Sequence, residues 1–259
     1  MKKLSLLVLS ALFAQAHAES LLDKINNKGT ITVGTEGTYA PFTYHDESGK
    51  LTGYDVEVTR AVAEKLGVTV EFKETAWDAM LAGLKAERFD MVANQVALTT
   101  PERQATFDKS EVYNWSGAWA VARQDEERIK TIEDFKGLKA ANGLSSNYGE
   151  MAEKAGAQVI PVDGMAQAIE LIKQGRADFT LNNSLGLLDY LKKHPDAGLK
   201  VVWKAPTSEW KGAGLTVNKN NDEALAKINE AVKALREDGT LKKLGEQFFG
   251  EDVSIKPEQ

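Results

Sequence analysis

The sequence predicts an α/β fold made of two similar lobes. Short β-type runs alternate with segments of helical periodicity along most of the chain, and this order argues for mostly parallel sheets covered by helices. The alternation occurs in two blocks of related plan. About 240 residues remain after an N-terminal leader, which is long for one domain and short for two independent ones. Two intertwined lobes therefore fit the sequence best.

The first block runs from residue 30 to residue 93. The run Thr30–Gly34 reads as a buried strand, and Asp55–Leu66 places its apolar residues broadly on one helical face. A strand is predicted at Val68–Phe72, a helix at Trp77–Lys85 and a strand at Asp90–Ala93. This order is that of one α/β lobe.

The second block repeats the order between residues 139 and 203, without convincing sequence identity to the first. Its predicted elements are a strand at Lys139–Ala141, a helix at Tyr148–Ala155, a strand at Val159–Pro161, a helix at Met165–Gln174, a strand at Ala177–Leu181, a helix at Leu185–Lys193 and a strand at Lys200–Trp203. The repetition predicts a second α/β lobe.

The pattern changes after Trp203. A strand is predicted at Gly214–Val217, and Asn221–Arg236 reads as a long amphipathic helix that ends before Gly239. A short final helix is predicted at Leu241–Phe248. The apolar stripe of the long helix is predicted to face the core, and its members are Leu225, Ile228, Val232 and Leu235.

The first eighteen residues have the features of a cleavable signal peptide. Lys2 and Lys3 precede an apolar run over Leu4–Ala14, and Ala16-His17-Ala18 has the small-x-small pattern of a cleavage site. The run is shorter than the roughly 20 apolar residues of a membrane span. The alternative is a buried N-terminal helix. We expect residues 1–18 to be removed and the mature chain to reach the periplasm.

Composition excludes several classes of protein. The absence of cysteine excludes a lipid-modified N-terminal cysteine, disulfides, thiolate metal sites and a cysteine nucleophile. The chain has 32 basic and 38 acidic residues, and removal of Lys2 and Lys3 leaves a formal charge of −8. An acidic chain without a basic cluster argues against nucleic acid or an anionic membrane as partner. No extended apolar seam is visible, so a monomer is expected.

Three stretches follow predicted strands, at the sheet edge where α/β proteins bind ligands. The first is Glu36-Gly37-Thr38-Tyr39-Ala40-Pro41-Phe42. Here Tyr39 can offer a flat amphipathic wall, and Glu36 can offer a charge for a ligand amine. The alternative is a turn in which Tyr39 packs inward.

The second stretch runs from Asn94 to Arg103. Thr100 is a good helix cap and Pro101 a good first helical residue. Arg103 would then lie in the first turn, where the helix dipole disfavours a cation unless an anion joins it. Free N–H groups and a forked guanidinium suit a carboxylate. The alternative is a surface arginine paired with a neighbouring acid.

The third stretch, Gly143–Asn147, opens a helix in the second block. Ser145, Ser146 and Asn147 are ordinary capping residues, and capping alone is one explanation for them. They also place N–H groups and hydroxyls at a strand end that faces the other lobe. Trp77, which starts a helix, is either a second aromatic wall or a core tryptophan.

Motifs of catalysis and metal binding are absent from the sequence. His45 and His194 are isolated in polar, loop-like surroundings, and His17 leaves with the signal peptide. There is no histidine pair at metal spacing, no GxSxG elbow, no phosphate-binding glycine loop and no GxGxxG. We therefore predict no catalytic residue, no metal and no cofactor.

Six stretches, spread from about residue 28 to residue 252, carry a family resemblance. They are VGTEGTYAPFTYHDESGKLTGYDVEV, FDMVANQ, PERQATFD, GLSSNYGEM, GRADF and LREDGTLKKLGEQFFG. The chain resembles the polar amino-acid solute-binding proteins of bacterial ABC importers, and within them the cystine-binding group. The resemblance implies that the partners are an amino acid, with cystine the leading candidate, and an ABC permease in the inner membrane.

The resemblance also implies the two-lobed periplasmic binding protein (Venus-flytrap) fold with two hinge strands. The crossings would lie near Gly117–Ala122 and Ala205–Gly212. Residues 19–117 and 212–259 would form the first lobe, and residues 118–211 the second. The ligand would be enclosed between the lobes when the hinge closes.

By position, the resemblance assigns roles to the residues singled out above. Tyr39 and Trp77 would be aromatic walls, and Arg103 would clamp the α-carboxylate. Glu36 would meet the ligand's distal polar group. The remaining implied ligand-binding residues are Asn94, Ala97, Leu98, Ser145, Ser146, Asn147 and Asn183.

Two departures from the family pattern bear on these roles. The spacing from Asn94 to Arg103 is one residue longer than usual, so which of Ala97, Leu98 and Thr99 lends its amide stays open. The family's ammonium-binding aspartate falls at Asn183. Because a charge-assisted hydrogen bond is about twice as strong as a neutral one, the affinity for ordinary amino acids would fall, or the ligand's nitrogen would be bound differently.

Two other functions are alternatives to amino-acid import. One is a periplasmic dehydratase-type enzyme on the same fold, for which Glu36 would be the acid. The other is a ligand-sensing or adhesive binding protein, whose closed form is presented to a receptor.

Overall fold

The structure is a computed structural model that describes residues 19–258. The predicted signal peptide, residues 1–18, lies outside the described residues. The strands are β1 (Thr30–Thr35), β2 (Thr38–Tyr39), β3 (Thr43–His45), β4 (Leu51–Thr52), β5 (Thr69–Glu74), β6 (Met91–Val92), β7 (Phe107–Lys109), β8 (Asn114–Ser116), β9 (Ala118–Arg123), β10 (Lys139–Asn142), β11 (Gln158–Pro161), β12 (Phe179–Asn183), β13 (Leu199–Lys204), β14 (Lys211–Ala213) and β15 (Thr216–Asn218).

The helices alternate with these strands. They are α1 (Leu21–Asn26), α2 (Tyr54–Leu66), α3 (Trp77–Lys85), α4 (Pro101–Thr106), α5 (Asn147–Lys154), α6 (Met165–Lys173), α7 (Ser184–Lys193), α8 (Asp222–Glu237) and α9 (Thr240–Phe249), with 3₁₀ turns at Ile132–Phe135 and Thr207–Glu209. None of the helices in residues 19–258 is long and apolar enough to cross a membrane.

Each lobe is built on one five-stranded sheet. The first sheet has the order β5-β1-β6-β15-β7, and the second has the order β11-β10-β12-β9-β13. In each sheet three strands are parallel and two run antiparallel to their neighbours. The expectation of mostly parallel sheets therefore holds for one side of each sheet. The antiparallel strands are those next to the points where the chain passes between lobes.

Apolar faces of the helices form the core of each lobe. In α2, Val58 and Val62 pack into the same buried cluster as Ile228 and Val232 of α8, as the helical spacing predicts. Helix α2 ends at Gly67, whose φ of 70° is in the left-handed region that a residue without a β-carbon adopts at little cost. The second lobe buries separate clusters on the two faces of its sheet.

Two short strands, β8 and β14, pair antiparallel between the sheets. A β-carbon at Gly117 would lie 2.4 Å from Nε1 of Trp210, so glycine is needed where the first strand leaves this pair. The sequence predicts this crossing near Gly117–Ala122; the structure has Gly117 directly after β8, and Ala118–Arg123 is already β9 of the second sheet. Strands β8 and β9 look like one continuous strand in the sequence, and only Gly117 separates them.

The strands of the first sheet lie in residues 30–109 and 216–218, and those of the second lie in residues 118–204. The exact lobe boundaries at 117/118 and 211/212 stay a prediction. The three-stranded sheet β2-β3-β4 and helix α1 had no counterpart in the sequence prediction. Their strands and helix are too short to carry a clear period.

Candidate functional site

Four strand ends from the two sheets meet at one cleft. Glu36 directly follows β1, and Asn94 comes two residues after β6. From the second sheet, Gly143 follows β10, and β12 ends at Asn183. The carboxyl ends of parallel strands are the usual ligand-binding edge of an α/β sheet. Here both lobes present that edge to the same cleft.

A cavity in this cleft, called the first cavity below, is lined by both lobes. The residues of its wall that were predicted from the sequence are Glu36, Tyr39, Trp77, Asn94, Ser146 and Asn147. The polar and aromatic residues of its wall that were not predicted are Asp78, Gln95, Asn142, Tyr148, Asp163, Thr180 and Asn182. Among the described residues that line it, three are acidic and none is basic.

Glu36 and Asn94 form two hydrogen bonds with each other in the part of the cavity wall that belongs to the first lobe. The backbone N–H of Glu36 donates to Oδ1 of Asn94 at 2.8 Å, and Nδ2 of Asn94 donates to Oε2 of Glu36 at 2.6 Å. Burial raises the pKa of Glu36, with the hydrogen bond from Asn94 opposing the shift and the nearby charge of Asp78 adding to it. The pair fixes one carboxylate at the wall of the first cavity.

Two aromatic residues flank this carboxylate. The hydroxyl of Tyr39 donates to Oδ1 of Asn182 across the cleft at 2.7 Å, so Tyr39 does not simply pack inward. The ring of Trp77 packs partly against the cluster around Met80 and Phe89. Its indole N–H is buried without a hydrogen-bond partner among the described residues. A buried donor of this kind suits a ligand oxygen.

Arg103 lies where the sequence placed it, in the first turn of a capped helix. The side chain of Thr100 accepts from the backbone N–H of Arg103 at 3.2 Å, and Pro101 is the first residue of α4. The Arg103 side chain is only 6% exposed, and burial lowers its pKa. An arginine remains charged in proteins, so a cation is held inside the cleft.

The guanidinium of Arg103 makes two hydrogen bonds to backbone carbonyls. Nη1 donates to the carbonyl of Ala97 at 3.0 Å, and Nη2 donates across the cleft to that of Ser145 at 2.5 Å. Its Cζ lies 5.6 Å from the ring centre of Trp77. The surface-arginine alternative is therefore wrong, since neither partner is an acid and the side chain is buried.

Ser145 is also held by an acid of the first lobe. Its hydroxyl donates to Oδ1 of Asp78 at 2.6 Å, and its backbone N–H donates to the same oxygen at 3.2 Å. The next residue, Ser146, caps α5 by accepting from the backbone N–H of Tyr148 at 3.2 Å. Ser146 thus caps α5 and also lines the first cavity, while Ser145 joins the lobes.

A second cavity lies on the hinge side of the first. Its wall contains the predicted residues Ala97, Asn147 and Asn183, together with Thr99. Gln95, Asn147 and Tyr148 line both cavities and separate them. Leu98 lines neither cavity and packs against the apolar cluster that contains Met80. Whether these residues contact a ligand stays a prediction.

Several residues of the site escaped the sequence prediction although their neighbours were found. Asp78 follows Trp77, Gln95 follows Asn94, and Asn182 precedes Asn183. Strand alternation indicates that Asn182 and Asn183 face opposite sides of β12 but not which one faces the first cavity. Within residues 19–258, no group of three or more His, Cys, Asp or Glu side chains is placed to hold a metal ion.

A family model for the bacterial extracellular solute-binding proteins, family 3, matches residues 31–251. The chain belongs to this family. It is 49% identical over 243 residues to a probable amino-acid ABC transporter-binding protein of Haemophilus influenzae, covering 92% of each chain. The resemblance drawn from the sequence, and the two-lobed α/β fold that it implies, are thereby confirmed.

Two solved structures are similar to this protein. The L-cystine solute receptor of Neisseria gonorrhoeae, in an unliganded open conformation, is 69% identical, with a TM-score of 0.63 over 91% of this chain and 99% of that one. An ancestral arginine-binding protein bound to arginine is 36% identical, with a TM-score of 0.78 over 86% of this chain and 99% of that one. The family and these relatives are binding proteins rather than enzymes, as the sequence predicted.

Proposed function

We propose that this protein captures a polar amino acid, with cystine as the leading candidate, and delivers it to the permease of an ABC importer. The observation that carries the proposal is the charge arrangement of the cleft. A buried guanidinium, Arg103, has its Cζ 5.6 Å from the ring centre of Trp77, and Trp77 lines a cavity whose charged lining residues are all acids. An α-amino acid presents a carboxylate for the arginine and an ammonium for the acids.

The acidic wall supports a ligand that carries a second ammonium group. Glu36 and Asp78 line the cavity from the first lobe, and Asp163 lines it from the second. Cystine has two α-amino acid heads, so one head would bind at Arg103 while the ammonium of the other faces these acids. Basic amino acids such as arginine satisfy the same charges and are the second candidate ligands. The names of the two similar structures, a cystine receptor and an arginine-binding protein, support both choices.

The ligand would be bound mainly by residues of the first lobe and covered by the second. In this proposal Arg103 binds the α-carboxylate with an amide from Ala97–Thr99, and Tyr39 and Trp77 form the walls. Closure then brings Ser145, Ser146 and Asn147 to the ligand. Because the closed state binds the ligand better, the ligand shifts the population toward it.

The cellular setting of the proposal follows from the family and from the N-terminus. Members are extracellular solute-binding proteins, which supports export of this chain by residues 1–18 and a periplasmic location. We propose that the mature chain is a monomer, that it binds no nucleic acid, and that its closed form docks on a permease in the inner membrane.

The first experiment is a binding screen of the mature protein, residues 19–259, after refolding to remove copurified ligand. A bound ligand raises the unfolding temperature by mass action. Cystine is expected to give the largest shift, and isothermal titration calorimetry then measures its Kd. No shift with cystine, arginine or any other amino acid would overturn the proposal.

Two mixed disulfides test the second ammonium. Cysteine joined to cysteamine keeps the distal ammonium and lacks the distal carboxylate, whereas cysteine joined to 3-mercaptopropionate does the reverse. The acidic wall predicts that only the cysteamine compound keeps an affinity close to that of cystine. Tighter binding of the 3-mercaptopropionate compound would contradict the assignment of Glu36, Asp78 and Asp163.

A pair of variants tests Trp77. Trp77→Ala removes the wall and the indole donor, whereas Trp77→Phe removes the donor and keeps a flat ring. We expect both variants to lose affinity, and Trp77→Ala to lose more. Unchanged affinity and selectivity of Trp77→Ala would show that this side chain does not contact the ligand.

A further inference from the structure

Position 183 raises a question that the family pattern does not answer. The resemblance described above implies an ammonium-binding aspartate at this position, but this chain has Asn183. Its side chain is 2% exposed and lines the second cavity, on the hinge side, whereas the neighbouring Asn182 lines the first. The hydrogen bonds of Asn183 run instead toward the hinge.

Gln95 is the residue that Asn183 meets there. Nδ2 of Asn183, in the second lobe, donates to Oε1 of Gln95 in the first lobe at 3.1 Å. The same Nδ2 donates to Oγ of Ser116 on the hinge strand β8 at 2.8 Å. Gln95 also exchanges hydrogen bonds with Asn114 of that strand, at 2.9 and 3.2 Å. Gln95 and Asn183, called the hinge amide pair below, thus connect both lobes to the hinge.

The orientation of the Gln95 amide is fixed from the first lobe. Asp55 is fully buried and accepts from the backbone N–H of Gln95 at 2.8 Å and from its Nε2 at 2.6 Å. Gln95 has a φ of 52°, an uncommon value for a residue with a β-carbon, and these bonds hold it there. Because Nε2 donates to Oδ1 of Asp55, Oε1 is the atom that faces Nδ2 of Asn114 and Nδ2 of Asn183, and a donor at position 183 matches it.

The orientation of the Asn183 amide is fixed from the second lobe. Its Oδ1 accepts from the backbone N–H of Leu185 at 2.9 Å, which caps α7. A backbone N–H is only a donor, so Oδ1 cannot turn away without loss of the cap, and Nδ2 must face Gln95. Both amides therefore fit each other in one orientation only. A carboxylate at position 183 would keep the cap but face Oε1 of Gln95 with an acceptor.

We infer that Asn183 is a positioning residue for lobe closure, which acts as a hydrogen-bond donor to Gln95 rather than as a ligand for the amino acid's ammonium. The inference rests on the proposed function only in that closure serves amino-acid capture. It turns the departure from the family pattern into a requirement of this chain. Asp55 orients Gln95, and Gln95 in turn requires an amide at position 183.

The decisive variant is Asn183→Asp, because the two roles predict opposite results. If residue 183 binds the ligand's ammonium, the new carboxylate restores the family's residue and raises affinity. If it donates to Gln95, the variant places two acceptors face to face and lowers the affinity for the amino acid by roughly ten- to hundred-fold. Asn26→Asp adds the same charge at an exposed position of α1 and is the control, with unchanged affinity expected.

A second substitution distinguishes loss of the hinge amide pair from misfolding. Asp55→Asn with Asn183→Asp reverses the polarity of the chain of hydrogen bonds. Asn at position 55 still accepts from the backbone N–H of Gln95 and donates to Oε1 after the Gln95 amide flips. Nε2 then donates to the new carboxylate at position 183. The double variant should regain most of the affinity that each single variant loses.

Closure itself is measured by small-angle X-ray scattering of the four proteins, with and without cystine. We expect wild type and the double variant to contract on binding and Asn183→Asp to contract less at equal ligand saturation. The inference would be overturned if Asn183→Asp bound the amino acid more tightly than wild type. It would also be overturned if the double variant lost as much affinity as the two single variants lose together. If wild type bound no amino acid, the proposed function would fail. The scattering of unliganded wild type and Asn183→Asp would still decide the inference, with equal profiles overturning it.

Discussion

Asp55 provides a direct test of how burial sets the stability of the first lobe. Its carboxyl group is fully buried in the first turn of α2, and burial raises its pKa from 3.8 to about 7 in spite of the hydrogen bonds from Gln95. The unfolded chain exposes the same group to water, where its pKa is ordinary. Between these two values, unfolding releases a proton.

The sign and size of the pH effect follow from this difference. Below about pH 4 the carboxyl is protonated in both the folded and the unfolded state. The stabilisation of the folded state that comes from the raised pKa is then fully present. As the pH rises toward 7, only the unfolded chain ionises, so the folded state loses stability. At about 1.4 kcal/mol per pKa unit, the window from pH 5 to pH 8 corresponds to a loss of roughly 2 to 3 kcal/mol.

The assay is urea unfolding of the ligand-free protein, followed by tryptophan fluorescence at pH 5 and pH 8. Asp55→Asn removes the titrating group. Between pH 5 and pH 8, we expect the free energy of unfolding of this variant to fall by roughly 2 to 3 kcal/mol less than that of wild type. Asp125→Asn, at a side chain that is 83% exposed, is the control and should behave as wild type. Equal pH dependence in wild type and Asp55→Asn would refute the reasoning.

Three further changes test the cleft and the hinge. Arg103→Lys replaces a forked guanidinium by a point charge, so amino-acid affinity measured by calorimetry should fall roughly ten-fold or more; equal affinity would remove Arg103 from the site. Tyr39→Phe deletes the bond to Asn182 across the cleft and should weaken binding by about two- to ten-fold, with an unchanged Kd contradicting a role in closure. Gly117→Ala would place a β-carbon 2.4 Å from Nε1 of Trp210, so scattering should show a more open ligand-bound form; a wild-type profile would show that the hinge tolerates the added carbon.

The parts of the fold that could be predicted are those with a local signal. Helix α3 has the predicted bounds, and α2 and α6 differ from prediction by a single residue at one end, because their apolar spacing repeats over several turns. Thr100 and Pro101 likewise marked the start of α4. Chain order alone did not reveal that each sheet would end in two antiparallel strands.

The site was only partly predictable because its contacts join distant parts of the chain. Tyr39 and Asn182 are 143 positions apart, and Gln95 and Asn183 are 88 positions apart. A pattern read along the chain identifies strand ends and polar loops, but the partner of each side chain depends on how the lobes meet. Asn183 is the clearest case, since its family position predicted a ligand contact and its hydrogen bonds connect it to the hinge.

The bonds across the cleft bear on how a ligand would control the closure proposed above. Those of Tyr39 to Asn182 and of Asn183 to Gln95 are neutral, and such a bond contributes about 0.5 to 1.5 kcal/mol net of its exchange with water. The contact of Ser145 with Asp78 lies at an exposed position, where water and salt weaken it further. The bond from Nη2 of Arg103 to the carbonyl of Ser145 is the charge-assisted one across the cleft, and such a bond contributes about 1.5 to 3 kcal/mol. Together these contacts stabilise the closed geometry by a few kcal/mol. A ligand with differential affinity of a few kcal/mol therefore decides the population, as a transport protein that must also release its cargo requires.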